Sequence, residues 1–421
     1  MTFACDYGLG IRQGSVLIVA AVMLMLCACN APPTSGAPSD DPNDYVVDTK
    51  TSYQLDVSEP RWVVPSDALP SPIEANTSNN NVAIHFHGNR LFFAWRTAPT
   101  HFADKKTVLY VMSSTDRGET WDYEYTSALK SDIREPNFYS VGEHLYLIYF
   151  QAGTNPTAFQ PKAVWRHQRR GLGDWSSKEA WLEPGDVPWD LKRRNGRWYL
   201  TSHYRSPETA NGDGENDNAG VRLHISDDGH NWVPTLVIQG SSEAGFEFDL
   251  EGRLWAVLRG SPEETGVMGA RLCFAEPDQL TKWNCDATDR WKYDSPKMFR
   301  HGRELYLVAR RDIGGPYDAA PTTLSWEERV EINRLEYWFR PKRTAIYRID
   351  TAAKRVVYLR DLPSAGDNAF PSIRRLDAHR FLVANYTSPL DKVDYSWVEG
   401  QTSTLGTQLY LTTLTFTPES R

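Results

Sequence analysis

The sequence predicts an all-β fold, a six-bladed β-propeller, and three observations carry that expectation. A hairpin pattern recurs six times: VAIHFHGNRLFFAWR (82–96), EPNFYSVGEHLYLIYF (135–150), PWDLKRRNGRWYLTSHY (188–204), FEFDLEGRLWAVLR (246–259), SPKMFRHGRELYLVARR (295–311) and FPSIRRLDAHRFLVANY (370–386). The turn glycines Gly88, Gly142, Gly196, Gly252 and Gly302 are spaced by 54, 54, 56 and 50 residues, which suits blades of four short strands. The sixth copy turns at Asp377-Ala378-His379, after a longer step caused by an insertion. A second strand pair follows each hairpin, such as Val108–Ser113 with Tyr123–Thr126. A turn of pattern S-x-D-x-G-x-T-W, Ser114 to Trp121, then closes the first repeat, and a shortened version, Ser226 to Trp232, closes the third.

Physical chemistry gives each part of that turn a structural job. The Asp accepts backbone N–H bonds, the Gly takes positive φ and the Trp packs between sheets. Asp116 and Asp228 are therefore structural rather than catalytic. The last repeat lacks a strand after Leu409–Phe416, and Arg61–Val64 is the segment available to supply it, closing the ring and removing an exposed edge.

Composition agrees with this reading. Aromatic residues make up 12% of the 421 residues, suited to packed, pleated strands, and no long heptads occur. The net charge of −8 argues against a basic nucleic-acid-binding face.

The N-terminus reads as an address. Arg12 precedes the apolar run Val16–Leu26, too short for a comfortable membrane span and suited to a signal peptide. Leu26-Cys27-Ala28-Cys29 resembles the lipobox of bacterial lipoproteins, which implies lipidation at Cys29. Asn30 after it implies sorting to the outer membrane. The expected organisation is a signal peptide over 1–28, a lipidated N-terminus and flexible tether over 29–59, and the propeller over 60–421. Cys273 and Cys285 share one predicted hairpin, and in an exported protein a disulfide between them is expected rather than a metal site.

Asp-box turns in a six-bladed propeller resemble the sialidase (neuraminidase) superfamily, over about residues 60 to 416. The resemblance implies an active site where the innermost strands begin, walled by loops starting near Arg96, Gln151, His203, Arg259, Arg311 and Tyr386. The fourth hairpin matches best: Glu243 lies nine residues before Gly252 and Arg259 seven after it, the family offsets. The family's glutamate polarises a tyrosine nucleophile and its arginine grips a substrate carboxylate. Asp104, ten residues before Ser114, matches the acid/base aspartate, and Arg310 or Arg311 matches another carboxylate-binding arginine. Two positions depart from the pattern. Asn80-Asn81-Val82 stands where the family has Arg-Ile-Pro, and Phe370 stands where it has the tyrosine nucleophile. Phenylalanine has no hydroxyl and forms no covalent intermediate.

Aligned hairpins place polar groups at the inner-strand starts: Asn80, Arg134-Glu135, Asp190 with Lys192, Glu243 and Asp294. Glycoside cleavage generally uses two carboxylates across the sugar, one of them kept protonated. Glu135, Asp190, Glu243 and Asp294 are the candidates, with salt bridges across the channel as the alternative reading, and Arg96 and Arg134 are candidate substrate-binding residues beside them. Arg134-Glu135-Pro136 also resembles the Arg-Asp-Pro motif of five-bladed furanosidases. His101, in the loop after Arg96, is a candidate acid/base with Asp104 or an exposed loop residue. The Asn211–Asn218 loop has acidic groups and glycines but lacks a full calcium ligand set, so no metal and no cofactor is expected. In the insertion 312–343, Ser325-Trp326-Glu327-Glu328 predicts a capped helix to about Phe339, lying over the mouth. Its Trp326, Tyr337 and Trp338 either stack on a sugar or pin the helix.

These readings converge on an exported, lipid-anchored monomer whose partner is a glycan. It either hydrolyses a terminal, acidic sugar or binds carbohydrate without turnover. A protein-interaction scaffold is the third reading, because a propeller fold alone does not set function.

Overall fold

In a computed structural model describing residues 38–156, 160–205, 219–240 and 242–419, each predicted hairpin forms the two inner strands of one sheet. Six sheets follow one another around a central channel. Blade 1 runs Ser78–His87, Arg90–Ala98, Val108–Ser114 and Asp122–Ser127. The inner pairs of blades 2 to 6 begin at Ile133, Asp186, Ala244, Lys297 and Ser372. The signal run, Cys29, the loop 211–218 and the beginning of the predicted tether lie outside the described residues.

Alternation along the strands explains the ring. In Arg90–Ala98, Phe93 and Trp95 enter an apolar layer shared with Leu382, Ala384 and Leu409 of blade 6. The intervening Phe92 and Ala94 enter the layer shared with Phe138, Leu147 and Tyr149 of blade 2. Successive side chains point to opposite faces of a strand, so each blade feeds two inter-blade cores at once. Both faces are covered, which is why second strands such as Arg90–Ala98, His144–Ala152 and Leu254–Leu258 read as nearly continuous apolar runs.

Closure differs from the expectation in one respect. Arg61–Val64 pairs with Gln408–Pro418, as the missing edge strand required, but Tyr53–Val57 pairs along the same strand further on. The propeller therefore begins before residue 60, and the stretch 53–57 belongs to blade 6 rather than to a tether. Upstream of it, Asp40 also packs on the ring, 3.1 Å from Arg374 Nε.

The recurring turns take the anticipated geometry. Glu119 N and Thr120 N donate to Asp116 Oδ1 at 3.0 and 2.9 Å, Gly118 has φ of 89°, and Trp121 packs against Phe93. Asp228 accepts from the amides of His230 and Asn231 at 2.8 and 2.7 Å in the same way. Cys273 and Cys285 form a disulfide between the outer strands of blade 4. The insertion in blade 5 forms the helix Trp326–Phe339, whose Ser325 and Glu328 make a reciprocal capping box.

Candidate functional site

The channel widens at one end into a cavity of about 590 Å3. All six loops that leave the second strands reach it. They contribute His101 and Phe102 from blade 1, Asn155 from blade 2, Arg205 from blade 3, Ser261 from blade 4, Tyr337 and Trp338 from the blade 5 helix, and Trp397 from blade 6. Its floor comprises Asn81, Glu135, Trp189, Ser295 and Phe370.

Irregular backbone aims several floor residues. The strand ladders shift register between Asn80 and Ala83 in blade 1 and between Arg134 and Asn137 in blade 2. Asn81, Glu135, Ser295 and Phe370 all take positive φ, at 49°, 53°, 56° and 76°. Bulges and left-handed non-glycine residues cost free energy and cluster at functional sites, where they redirect side chains.

The charge pattern opposes that of the whole molecule. Arg134, Arg205, Arg259, Arg310, Arg334 and Lys292 line the cavity, against the carboxyls of Asp132, Glu135 and Glu243. A chain of net charge −8 thus has a cationic cavity, which attracts an anionic ligand. Arg259 Nη1 donates to Glu243 Oε1 at 2.6 Å, and its Nε lies 3.1 Å from Asp294 Oδ1. Glu243 Oε2 accepts from the Ser295 amide at 2.7 Å. Arg310 donates from Nε and Nη2 to Asn368 O, and from Nη1 to Asp294 Oδ2 at 3.3 Å. Burial disfavours both guanidinium charges, but Asp294 with Glu243 around Arg259, and Tyr337, Tyr386 and Asp294 around Arg310, raise their pKa values overall.

Glu135 behaves differently from the other carboxyls. Burial pushes its pKa up to about 8, Glu243 nearby adds to the rise, and Arg134 opposes it. Its Oε2 accepts from Asn81 Nδ2 at 2.9 Å. At neutral pH this group holds its proton inside a cationic cavity.

Each predicted site residue has a definite position. Glu135, Glu243, Arg134, Arg259, Arg310 and His101 come together at the cavity. Asp294 is fully buried behind it and acts on Arg259, Arg310 and Tyr337 Oη rather than facing a ligand. Asp190 lies below the floor, ion-paired with Lys192 and 4.0 Å from Lys297 Nζ, so it closes the channel as the salt-bridge reading anticipated. Asp190 and Asp294 are thus off the cavity that their roles as catalytic and ligand-binding candidates required, and two further residues are placed otherwise than expected. Arg96 is wholly buried, with Nε donating to Asp132 Oδ1 at 2.9 Å and Nη2 to Phe102 O at 2.8 Å, because a guanidinium there ties the loop to blade 2. Asp104 does not line the cavity; its carboxylate accepts from the Lys106 amide and caps its own loop. Arg311 turns to Asp361, leaving Arg310 as the cavity arginine of blade 5.

His101 is partnered by Asp367, not Asp104. The contact from Nδ1 to Asp367 Oδ2 is 2.6 Å, and Asp367 Oδ1 also accepts from Tyr386 Oη at 3.0 Å and Trp397 Nε1 at 3.2 Å. The hairpin alignment, carried one copy further, would have reached Asp367 ahead of the sixth inner strand. Asp132 carried a fainter signal, two residues before Arg134. Tyr337 Oη, donating to Asp294 Oδ2 at 2.9 Å, serves the arginine cluster from the inserted helix. Among the described residues no group of three or more His, Cys, Asp or Glu is placed to hold a metal ion.

No family model matches the chain, and no curated protein matches it. Solved structures do. A protein of unknown function from Dyadobacter fermentans superposes with a TM-score of 0.56 at 14% identity, covering 86% of this chain and 99% of that one. A mutant of Trypanosoma rangeli sialidase displaying trans-sialidase activity gives 0.52 at 12% identity, with 88% of this chain matched to 59% of that one. The phage phi92 endosialidase gives 0.50 at 11% identity, covering 88% of this chain and 70% of that one. These likenesses establish a sialidase-like propeller fold. The chain spans little more than half the length of the trypanosomal protein.

Proposed function

We propose that this protein is an exported, lipid-anchored glycoside hydrolase that removes a terminal acidic sugar from a glycan. The observation that carries the reading is a buried carboxyl, Glu135, whose pKa burial pushes up to about 8, set among cavity arginines in a chain of opposite net charge. Arg134, Arg259 and Arg310 receive the sugar's carboxylate, and guanidinium groups suit such bidentate recognition. Glu135 donates its proton to the departing glycosidic oxygen, a role that needs a carboxyl kept neutral near pH 7. Glu243 holds Arg259 in place through the 2.6 Å bond.

The address supports the cellular setting: the apolar run 16–26 followed by Leu26-Cys27-Ala28-Cys29 would export the chain and lipidate Cys29, leaving the cavity to meet glycans outside the cytoplasm. Loss of radiolabelled-lipid incorporation in Cys29→Ser tests that part.

Turnover is tested on a panel of oligosaccharides ending in uronic or sialic acids. Glu135→Gln should lose at least about 100-fold in kcat. Full activity of Glu135→Gln or Glu243→Gln would overturn the assignment. A second reading, carbohydrate binding without cleavage, is favoured by Phe370 at the position where the resemblance places a nucleophile. Saturable binding of these glycans by a wild-type protein that cleaves none of them would establish it instead.

A further inference from the structure

The acid of the proposed reaction has a candidate, but its partner does not. Hydrolysis at an anomeric carbon needs a base that activates water if no covalent intermediate forms. Phe370 removes the phenol route. Both oxygens of Glu243 are already engaged, one by Arg259 and one by the Ser295 amide. Asp190 lies below the floor and Asp294 behind the wall.

We propose that His101, held by Asp367, is the base of this site: it takes a proton from the water that attacks the anomeric carbon while Glu135 protonates the departing oxygen. The inference rests on the hydrolase reading above. Its geometry is independent of it. Asp367 is fully buried and receives three donors, from His101, Tyr386 and Trp397, which fixes its carboxylate without a cation in direct contact. The 2.6 Å contact commits Nδ1 of His101 to carrying hydrogen, and Asn80 Nδ2, at 3.4 Å from the same atom, is the weaker partner. With Nδ1 so committed, Nε2 is the ring's acceptor, and His101 lines the cavity. A carboxylate that sets the tautomer of a histidine is a recurrent way of making a base.

The step balances without a redox partner. A water O–H bond breaks and its proton goes to Nε2, while the water oxygen bonds to the anomeric carbon. The glycosidic C–O bond breaks, its electron pair stays on the departing oxygen, and that oxygen takes the Glu135 proton. Solvent then removes the proton from His101 and returns one to Glu135. Attack by water opposite the departing group inverts the anomeric centre. The charged groups facing His101 are Asp367, Arg134 and Arg96. Burial and the two arginines favour the neutral ring, Asp367 favours the charged one, and the net direction is downward, so the base is ready at neutral pH.

The test uses the full-length protein and the same panel of uronic- and sialic-acid-capped oligosaccharides. Proton NMR of the first-formed product should show the inverted anomer. His101→Ala should lose about 100- to 10,000-fold in kcat with KM kept within a few-fold, and lose the acidic limb of the kcat/KM profile. Azide should restore turnover to His101→Ala as the inverted glycosyl azide. Asp367→Asn should lose kcat without azide rescue, as befits a positioning residue. A retained anomer, an unsaturated product, or near wild-type turnover by His101→Ala alongside an inactive Glu135→Gln overturns this inference alone. Failure of the wild-type protein to cleave any panel member overturns the hydrolase reading and this one together. Independently of turnover and of any variant's folding, nitrogen NMR of the wild-type ring should show hydrogen on Nδ1 at neutral pH, and hydrogen on Nε2 would overturn the proposal.

Discussion

Asn81 Nδ2 donates to Glu135 Oε2 at 2.9 Å, joining two left-handed residues in the bulged inner strands of neighbouring blades. A donor to the carboxylate favours its ionised form, so this bond restrains the rise that burial imposes on Glu135. Asn81→Ala should therefore hold the proton to still higher pH. The alkaline limb of kcat/KM, expected near pH 8 in the wild type, should move upward in this variant. A limb that stays put would show that another group controls it.

Glu135 also sets a stability trend with a definite sign. Between its ordinary value of 4.5 and about 8 the unfolded chain has lost this proton and the folded protein retains it. The folded state binds more protons there, so this group's contribution to stability falls as pH rises through that window. Glu135→Gln removes this titrating group. Thermal melting followed from pH 5 to 8 should show the variant losing less stability, or gaining, relative to wild type.

Arg96 is expected to matter for stability more than for binding. Its guanidinium is fully buried and spans Asp132, Thr100 O and Phe102 O. Arg96→Ala leaves buried acceptors without their donor and should cost roughly 3–5 kcal/mol in denaturant unfolding. Arg134, at 18% side-chain exposure, should be cheaper to truncate and should weaken acidic-glycan binding instead.

The sequence made the blades legible because hairpin periodicity and turn chemistry are local signals. Gly88, Gly142 and Gly196 mark turns whatever the rest of the chain does. The site depends on relations that no local window contains. Arg96 and Arg134 look alike in sequence, as charges near strand ends. Only the packing of the blade 1 loop on Asp132 makes the first a buried tie and leaves the second lining the cavity. His101 and Asp367 meet across 266 residues, where blades 1 and 6 adjoin. Positive φ at Glu135 was unreadable for another reason: glutamate does not announce a bulge, and tertiary packing imposes it.

Asp40 shows how a stretch that reads as tether becomes part of the fold. Its carboxylate lies 3.1 Å from Arg374 Nε and 3.5 Å from His85 Nδ1, and Arg194 Nη1 donates to its carbonyl at 2.8 Å. Burial alone would raise its pKa, but Arg374, His85 and Arg194 outweigh that and bring it from 3.8 to about 2. A depressed acid contributes stability that is present above the unfolded value and is lost as pH falls through the folded one. Asp40→Asn should thus lower stability at pH 6, and the difference from wild type should vanish as pH drops from about 4 to 2. A difference that persists at pH 2 would mean the segment is held by something other than this charge.

Phe370 closes the floor between the site and the channel beneath it. Its ring lines the 590 Å3 cavity above and a pocket of about 50 Å3 below, meeting Trp189 edge-on at 4.9 Å, with Lys297 Nζ 5.7 Å from its centroid. Burial chiefly drives the Lys297 pKa down to about 8. Phe370→Ala should cost about 3–5 kcal/mol through lost burial and the void left behind. It should also join the two spaces and admit water to Lys297, returning that amine toward its ordinary 10.5. Phe370→Leu, which keeps most of the plug, should cost less and leave Lys297 dry. Denaturant unfolding together with pH-dependent acylation of Lys297, read by mass spectrometry, separates these outcomes. An unchanged Lys297 profile in Phe370→Ala would mean that Trp189 and Asp190 seal the channel without the ring.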